Sequence, residues 1–202
     1  VLSSDIVGSS NNSEKMSNDH SVRVFSEEGT GHESRELARF VEWTIREKME
    51  GFRAKLVFRR DRFGRGGDHT PFVQEGFSAV RFSEVIEDFA RQHSDGDVPE
   101  SLDWSYLKKV TEANLVVLES LADAKPAPSR VRVDRRQGHD TTINWNALSG
   151  TEHVVYWRDS ASPIWENKVL AGTVRTLTIK GVNKDDNVFA VGSVGGVPIE
   201  AR

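Results

Sequence analysis

The chain has 202 residues, 37% of them hydrophobic and 29% charged, with a formal net charge of −4. Such a composition belongs to a folded globular protein; it offers no basic excess for nucleic acid or a polybasic membrane contact, and no apolar run approaches the roughly 18–20 residues that span a bilayer. There is no cysteine, which excludes disulfides and zinc–thiolate sites, so any metal must be held by His and carboxylates.

Val1-Leu2 reads as the tail of a strand whose sheet neighbours lie upstream, because neither Met nor a charged-then-apolar leader opens the sequence. Residues 9–20 are polar and predict a loop, and Val22–Phe25 a short strand. Thr30 and Glu33 have capping-box spacing before a helix with Leu37, Phe40, Val41, Ile45 and Met49 at helical intervals, stopped at Gly51. Lys55–Phe58 predicts the next strand, followed by a charged, glycine-rich stretch. Thr70 is placed to cap a helical turn with Pro71 at its first position and Gly76 past its end, and Ser78–Phe82 to form a further strand. Strands alternating with helices predict an α/β layer, a mixed and mostly parallel sheet flanked by helices.

A long helix is predicted over Asp103–Asp123, with Leu107, Val110, Val117, Leu118 and Leu121 on its inner face and Trp104 and Tyr106 packing at its start. The segment Lys125–Ser129 reads as a linker. Beyond it, alternating runs at Val131/Val133, Thr142–Trp145, His153–Trp157, Arg175–Ile179 and Val188–Val194 predict an antiparallel, immunoglobulin-like sandwich. Trp145 and Tyr156 fit its core, whereas Trp157 and Trp165 alternate differently and suit an exposed aromatic patch. The organisation expected is thus 1–124, a linker at 125–129, and a β-sandwich over 130–202.

Two segments carry chemistry. Asp5 ends an apolar strand, with Gly8 three residues on; His69 stands between the Gly66-Gly67 loop and a helix start. In an open α/β sheet both are expected at carboxyl edges of strands, where glycines permit sharp turns. A carboxylate and an imidazole are suitable zinc ligands, but a lone Asp and a lone His are common, and a polar loop His or a strand-end carboxylate explains them equally well. Arg60, Arg62 and Arg65 are read as loop-fixing ion partners in preference to anchors for a substrate carboxylate.

The run Val22-Arg23-Val24-Phe25-Ser26-Glu27, then Asp61 to Phe72 with its GGDHTPF segment, and Gly76 to Glu84 resemble the bacterial leucyl aminopeptidase family of co-catalytic zinc exopeptidases over about residues 1–124. The resemblance implies a secreted or periplasmic hydrolase that removes N-terminal residues from peptide substrates with two zinc ions, Asp5 binding one and His69 the other. It departs at Ser4, where the family usually has Asn. It also implies that the remaining ligands and the general base precede this segment, so that the chain alone is an incomplete and inactive enzyme, partnered by an N-terminal half. Glu27-Glu28 aligns with a structural turn, Asp68 with a loop-orienting role, and Glu84 and His93 fit family positions with no evident task. The tail resembles fibronectin type III domains. The rival reading is a non-catalytic binding or scaffolding protein, with a degenerate peptidase half and an adhesive β-sandwich.

Overall fold

The computed structural model describes residues 1–27, 33–62, 64–136 and 138–202. Glu28 and Thr30, the latter the expected capping residue, lie outside the described residues. The chain divides into two compact units, Val1–Val117 and Leu118–Arg202; the expected linker at 125–129 lies within the second.

The first unit is built on a four-stranded sheet of β1 (Leu2–Ser4), β2 (Ser21–Phe25), β3 (Arg53–Val57) and β4 (Val80–Glu84), in the order β1-β4-β2-β3. β1 pairs parallel with β4 and β2 parallel with β3, but β2 and β4 are antiparallel. The sheet is therefore mixed, and the carboxyl ends of β1 and β3 point to opposite edges. Its strands are buried through Val22, Val24, Phe25, Val80 and Phe82. Helix α1 (Glu33–Lys48) lies against β3 and β4. Leu37, Phe40, Val41 and Ile45 are all buried, and Gly51, at φ 71°, follows its end in the left-handed conformation that glycine adopts without strain.

The short helix α2 (Thr70–Gln74) begins one residue earlier than expected. His69 is the N-cap and makes no side-chain cap bond. The Thr70 hydroxyl instead donates to Glu27 Oε1 at 2.7 Å and accepts from the Gly67 N–H at 3.1 Å. α3 (Trp104–Asp123) buries Tyr106, Val110, Ala113 and Val117, while Trp104 and Leu118 are exposed, contrary to the packing expected of them. The Asp103 carboxylate caps it through the Tyr106 N–H at 3.0 Å.

The second unit carries two antiparallel sheets. One has the order β5 (Ser129–Val133), β6 (Thr141–Asn146), β9 (Thr176–Ile179). The other runs β11 (Ile199–Glu200), β10 (Asn187–Ser193), β7 (His153–Asp159), β8 (Asn167–Gly172). Val131, Ile143, Trp145, Val155, Phe189 and Val191 form the core between them. Tyr156 is buried too. Trp165 is fully buried, its ring 6.2 Å from that of Tyr156 and beneath the Arg158 guanidinium, so it is no part of an exposed patch; Trp157 packs partly buried against the core.

Candidate metal centre

Asp5 and His69 follow strands that run in opposite directions. Because β2 runs against β4, the strands preceding the two residues end at opposite edges of the sheet. What joins their surroundings is Arg81, whose side chain is fully buried. Its Nη2 lies 3.0 Å from Asp5 Oδ2, and its Nη1 lies 3.4 Å from Asp61 Oδ2 and 3.3 Å from the Gly66 carbonyl. Gly67 lets this happen. A Cβ there would sit 3.1 Å from both Arg81 Cδ and His69 Nδ1.

His69 itself is 1% exposed. Its Nε2 lies 3.0 Å from Glu27 Oε1, within ion-pair reach. Burial holds the imidazole below its ordinary pKa against the pull of Glu27, and the positive charge of Arg81 adds to the depression. Glu27 is 1% exposed and also pairs with Arg60 Nε at 2.9 Å. Arg62 and Arg65 reach Glu87 at 2.8 and 3.4 Å. These arginines fix the loop, as their sequence context suggested.

Asp5 faces open space. It lines a cavity of about 570 Å³ together with Ile6, Ser9, Glu84 and His93, and its side chain is 45% exposed. Two of the five non-glycine residues with positive φ among the described residues stand on that wall, Ile6 at 58° and His93 at 58°. Backbone held in this sparsely populated region tends to gather at functional sites. Glu84 is 3% exposed, and burial raises its carboxyl to about 7, while the Ser9 N–H, donated at 2.7 Å, works in the opposite sense. His69 is not among the lining residues. Its motif is conspicuous in sequence, whereas His93 sits in a polar stretch with no spacing signal beyond its fit to a family position.

The donor chemistry suits zinc only in part. Asp5 offers a carboxylate with one oxygen engaged by Arg81, and His93 brings an imidazole to the same cavity. A catalytic zinc takes about three protein ligands plus water. Among the described residues, no group of three or more His, Asp or Glu side chains stands close enough together to hold a metal ion. The described residues bring individual donors to the cavity, and no helix among them is long and apolar enough to cross a membrane.

The curated relatives of this chain are named probable zinc metalloproteases. The chain is 32% identical to a protein of Leptosphaeria maculans named a probable zinc metalloprotease, over 96% of this chain and 52% of the relative. It is 33% identical to one of Pyricularia oryzae with the same description, over 96% of this chain and 46% of the relative. A third, from Pyrenophora tritici-repentis, is 30% identical over 96% and 47%. The chain thus spans about half the length of the curated relatives it matches. No protein-family model matches it. Among solved structures, a fibronectin type III domain of human collagen XX aligns with 40% of this chain and 94% of that domain at 13% identity and TM-score 0.32. A redesigned β-sandwich protein aligns over 38% and 86% at 14% identity and TM-score 0.33.

Proposed function

We propose that this chain contributes one wall of the active site of a zinc-dependent aminopeptidase, with Asp5 as a ligand of one of two zinc ions. The observation that carries the reading is the cavity that gathers Asp5, Glu84 and His93 around two left-handed backbone positions. His93, on the cavity wall, is the imidazole we assign as the second donor. His69, which the sequence pointed to, is assigned to the support of Arg81 and Glu27. Residues outside this sequence supply the remaining ligands and the base, in keeping with relatives about twice as long. Bound zinc would lower the pKa of a water and polarise the scissile carbonyl. This chain's own part is to present Asp5 and His93 and to hold the cavity's shape. The family resemblance adds secretion to the reading.

The test uses the full-length protein that contains this chain, assayed for release of N-terminal residues from peptides. Activity is expected to disappear with a chelator and return with zinc. Asp5→Ala and His93→Ala should each abolish it, while His69→Ala should act chiefly by lowering stability. Chelator-resistant cleavage, or cleavage confined to internal bonds, would refute the assignment. Full activity in His93→Ala, with loss in a stably folded His69→Ala, would return the ligand role to His69.

A further inference from the structure

The segment after Asp5 is held in a conformation it would not choose alone. β1 ends at Ser4, opposite Phe82 of β4, and the Asp5 N–H still donates to the Phe82 carbonyl at 3.1 Å. The next residue, Ile6, has φ 58°. A β-branched residue in the left-handed region is strained by about 1–3 kcal/mol, so its surroundings must over-determine it.

Glu84 does this twice. Its backbone N–H donates to the Ile6 carbonyl at 2.7 Å, and its Oε2 accepts the Ser9 N–H at 2.7 Å. One residue of β4 therefore grips both ends of the turn Ile6–Ser9. The Ser83 hydroxyl adds a longer bond of 3.5 Å to the same Ile6 carbonyl. On the other side of the turn, Gly8 allows a close approach: a Cβ there would lie 2.5 Å from Leu102 Cδ2, and the Gly8 carbonyl accepts the Asp103 N–H at 2.8 Å. A carboxyl side chain that is 3% exposed is costly to bury. Its place here is explained by the backbone N–H it accepts.

We infer that Glu84 is the positioning residue for Asp5: by holding the Ile6–Ser9 turn from strand β4, it fixes the direction in which the Asp5 carboxylate enters the cavity. The functional half of this statement rests on the reading of Asp5 as a metal donor; the clamp on the turn does not.

The experiment uses the isotope-labelled 202-residue chain with Glu84→Gln, which keeps an acceptor, and Glu84→Ala, which removes it. The first measurement is amide hydrogen exchange. Loss of a hydrogen bond of this kind corresponds to about a tenfold change. The Ser9 amide should therefore exchange about tenfold faster in Glu84→Ala, with Val24 in β2 changing far less, and stay within about threefold of wild type in Glu84→Gln. A Ser9 amide that keeps its wild-type rate in Glu84→Ala, or that accelerates only in step with Val24, overturns the clamp. If Glu84→Ala does not fold, the double variant Ile6→Gly/Glu84→Ala replaces it, because glycine adopts the left-handed backbone without help. It should fold while still showing the fast Ser9 exchange, and slow exchange there counts equally against the clamp.

The second measurement uses the longer protein that contains this chain, where the remaining ligands are present, and follows paramagnetic broadening of the Asp5–Gly8 signals as Mn²⁺ is added. Glu84→Ala should need about fivefold more Mn²⁺ for half-broadening, with Glu84→Gln close to wild type, since a disordered turn must be ordered before its donor can bind. Equal titrations of wild type and Glu84→Ala overturn the positioning role. Equal loss in Gln and Ala also overturns it, because the carboxylate would then be binding the ion itself. Absence of broadening in the wild type sinks the metal reading of Asp5 and the positioning role with it, while exchange at Ser9 still decides the clamp.

Discussion

Arg81→Met puts the buried charge cluster to its hardest test. The substitution keeps an unbranched side chain in the site but removes the guanidinium that neutralises Asp5 and Asp61 and serves the Gly66 carbonyl. Breaking a buried ion pair by deleting one partner costs about 3–5 kcal/mol, because the other charge is left uncompensated. Asp5 is half-exposed and recovers water, so its share is small. Asp61 is 5% exposed and keeps Arg65 at 3.7 Å, which places the expected loss at the low end, about 3 kcal/mol. Urea unfolding of the chain, followed by far-ultraviolet circular dichroism, measures it. Pairing the change with Asp61→Asn should recover part of the loss, since the orphaned charge is then gone. A loss below about 1 kcal/mol, or double-variant effects that simply add, would show that Arg81 is solvated and that the cluster is misassigned.

Three further outcomes are expected. Trp145→Ala should destabilise the β-sandwich by about 3–5 kcal/mol, the range for truncating a core aromatic, because Trp145 is 3% exposed and its ring lies 5.7 Å from that of His153; a variant that melts with the parent would remove Trp145 from the core. Glu84 ties stability to pH. Its folded pKa of about 7 lies above the ordinary 4.5, so the native state holds the proton more tightly, and the stabilisation is complete below about pH 4.5 and lost as pH rises through 7. The difference is about 3 kcal/mol between those limits and should vanish in Glu84→Gln; a wild-type stability that climbs relative to the Gln variant over that range contradicts the burial of the carboxyl. His153 has the opposite sign. Burial depresses its imidazole below the ordinary 6.5, so the sandwich should weaken as pH falls below about 6.5, and His153→Gln should flatten that dependence in thermal melts.

Local pattern was enough for several elements. The spacing of Leu37, Phe40, Val41 and Ile45 specifies a helix with one buried face, and the glycine at position 51 ends it, because both features depend only on backbone periodicity and on φ. The alternation in Val131–Val133, Thr142–Trp145 and His153–Trp157 likewise specifies strands with one face inward. β8 escaped notice because Asn167–Gly172 buries no residue fully, leaving no alternation to read.

Strand direction and charge burial were not local matters. Nothing within Val22–Phe25 or Val80–Phe82 says that these strands pair antiparallel, yet that single pairing puts the carboxyl ends of β1 and β3 at opposite edges of the sheet. Nothing in Ser78–Phe82 marks Arg81 for burial. It is buried because Asp5, Asp61 and Gly66, contributed by separate stretches of chain, converge on one guanidinium. The prominent GGDHTPF motif puts its Gly66 carbonyl on Arg81, while the plain segment around His93 lines the cavity. A motif records which residues a loop needs, but which loop reaches the cavity depends on pairings between residues far apart in sequence, and only the folded chain supplies those.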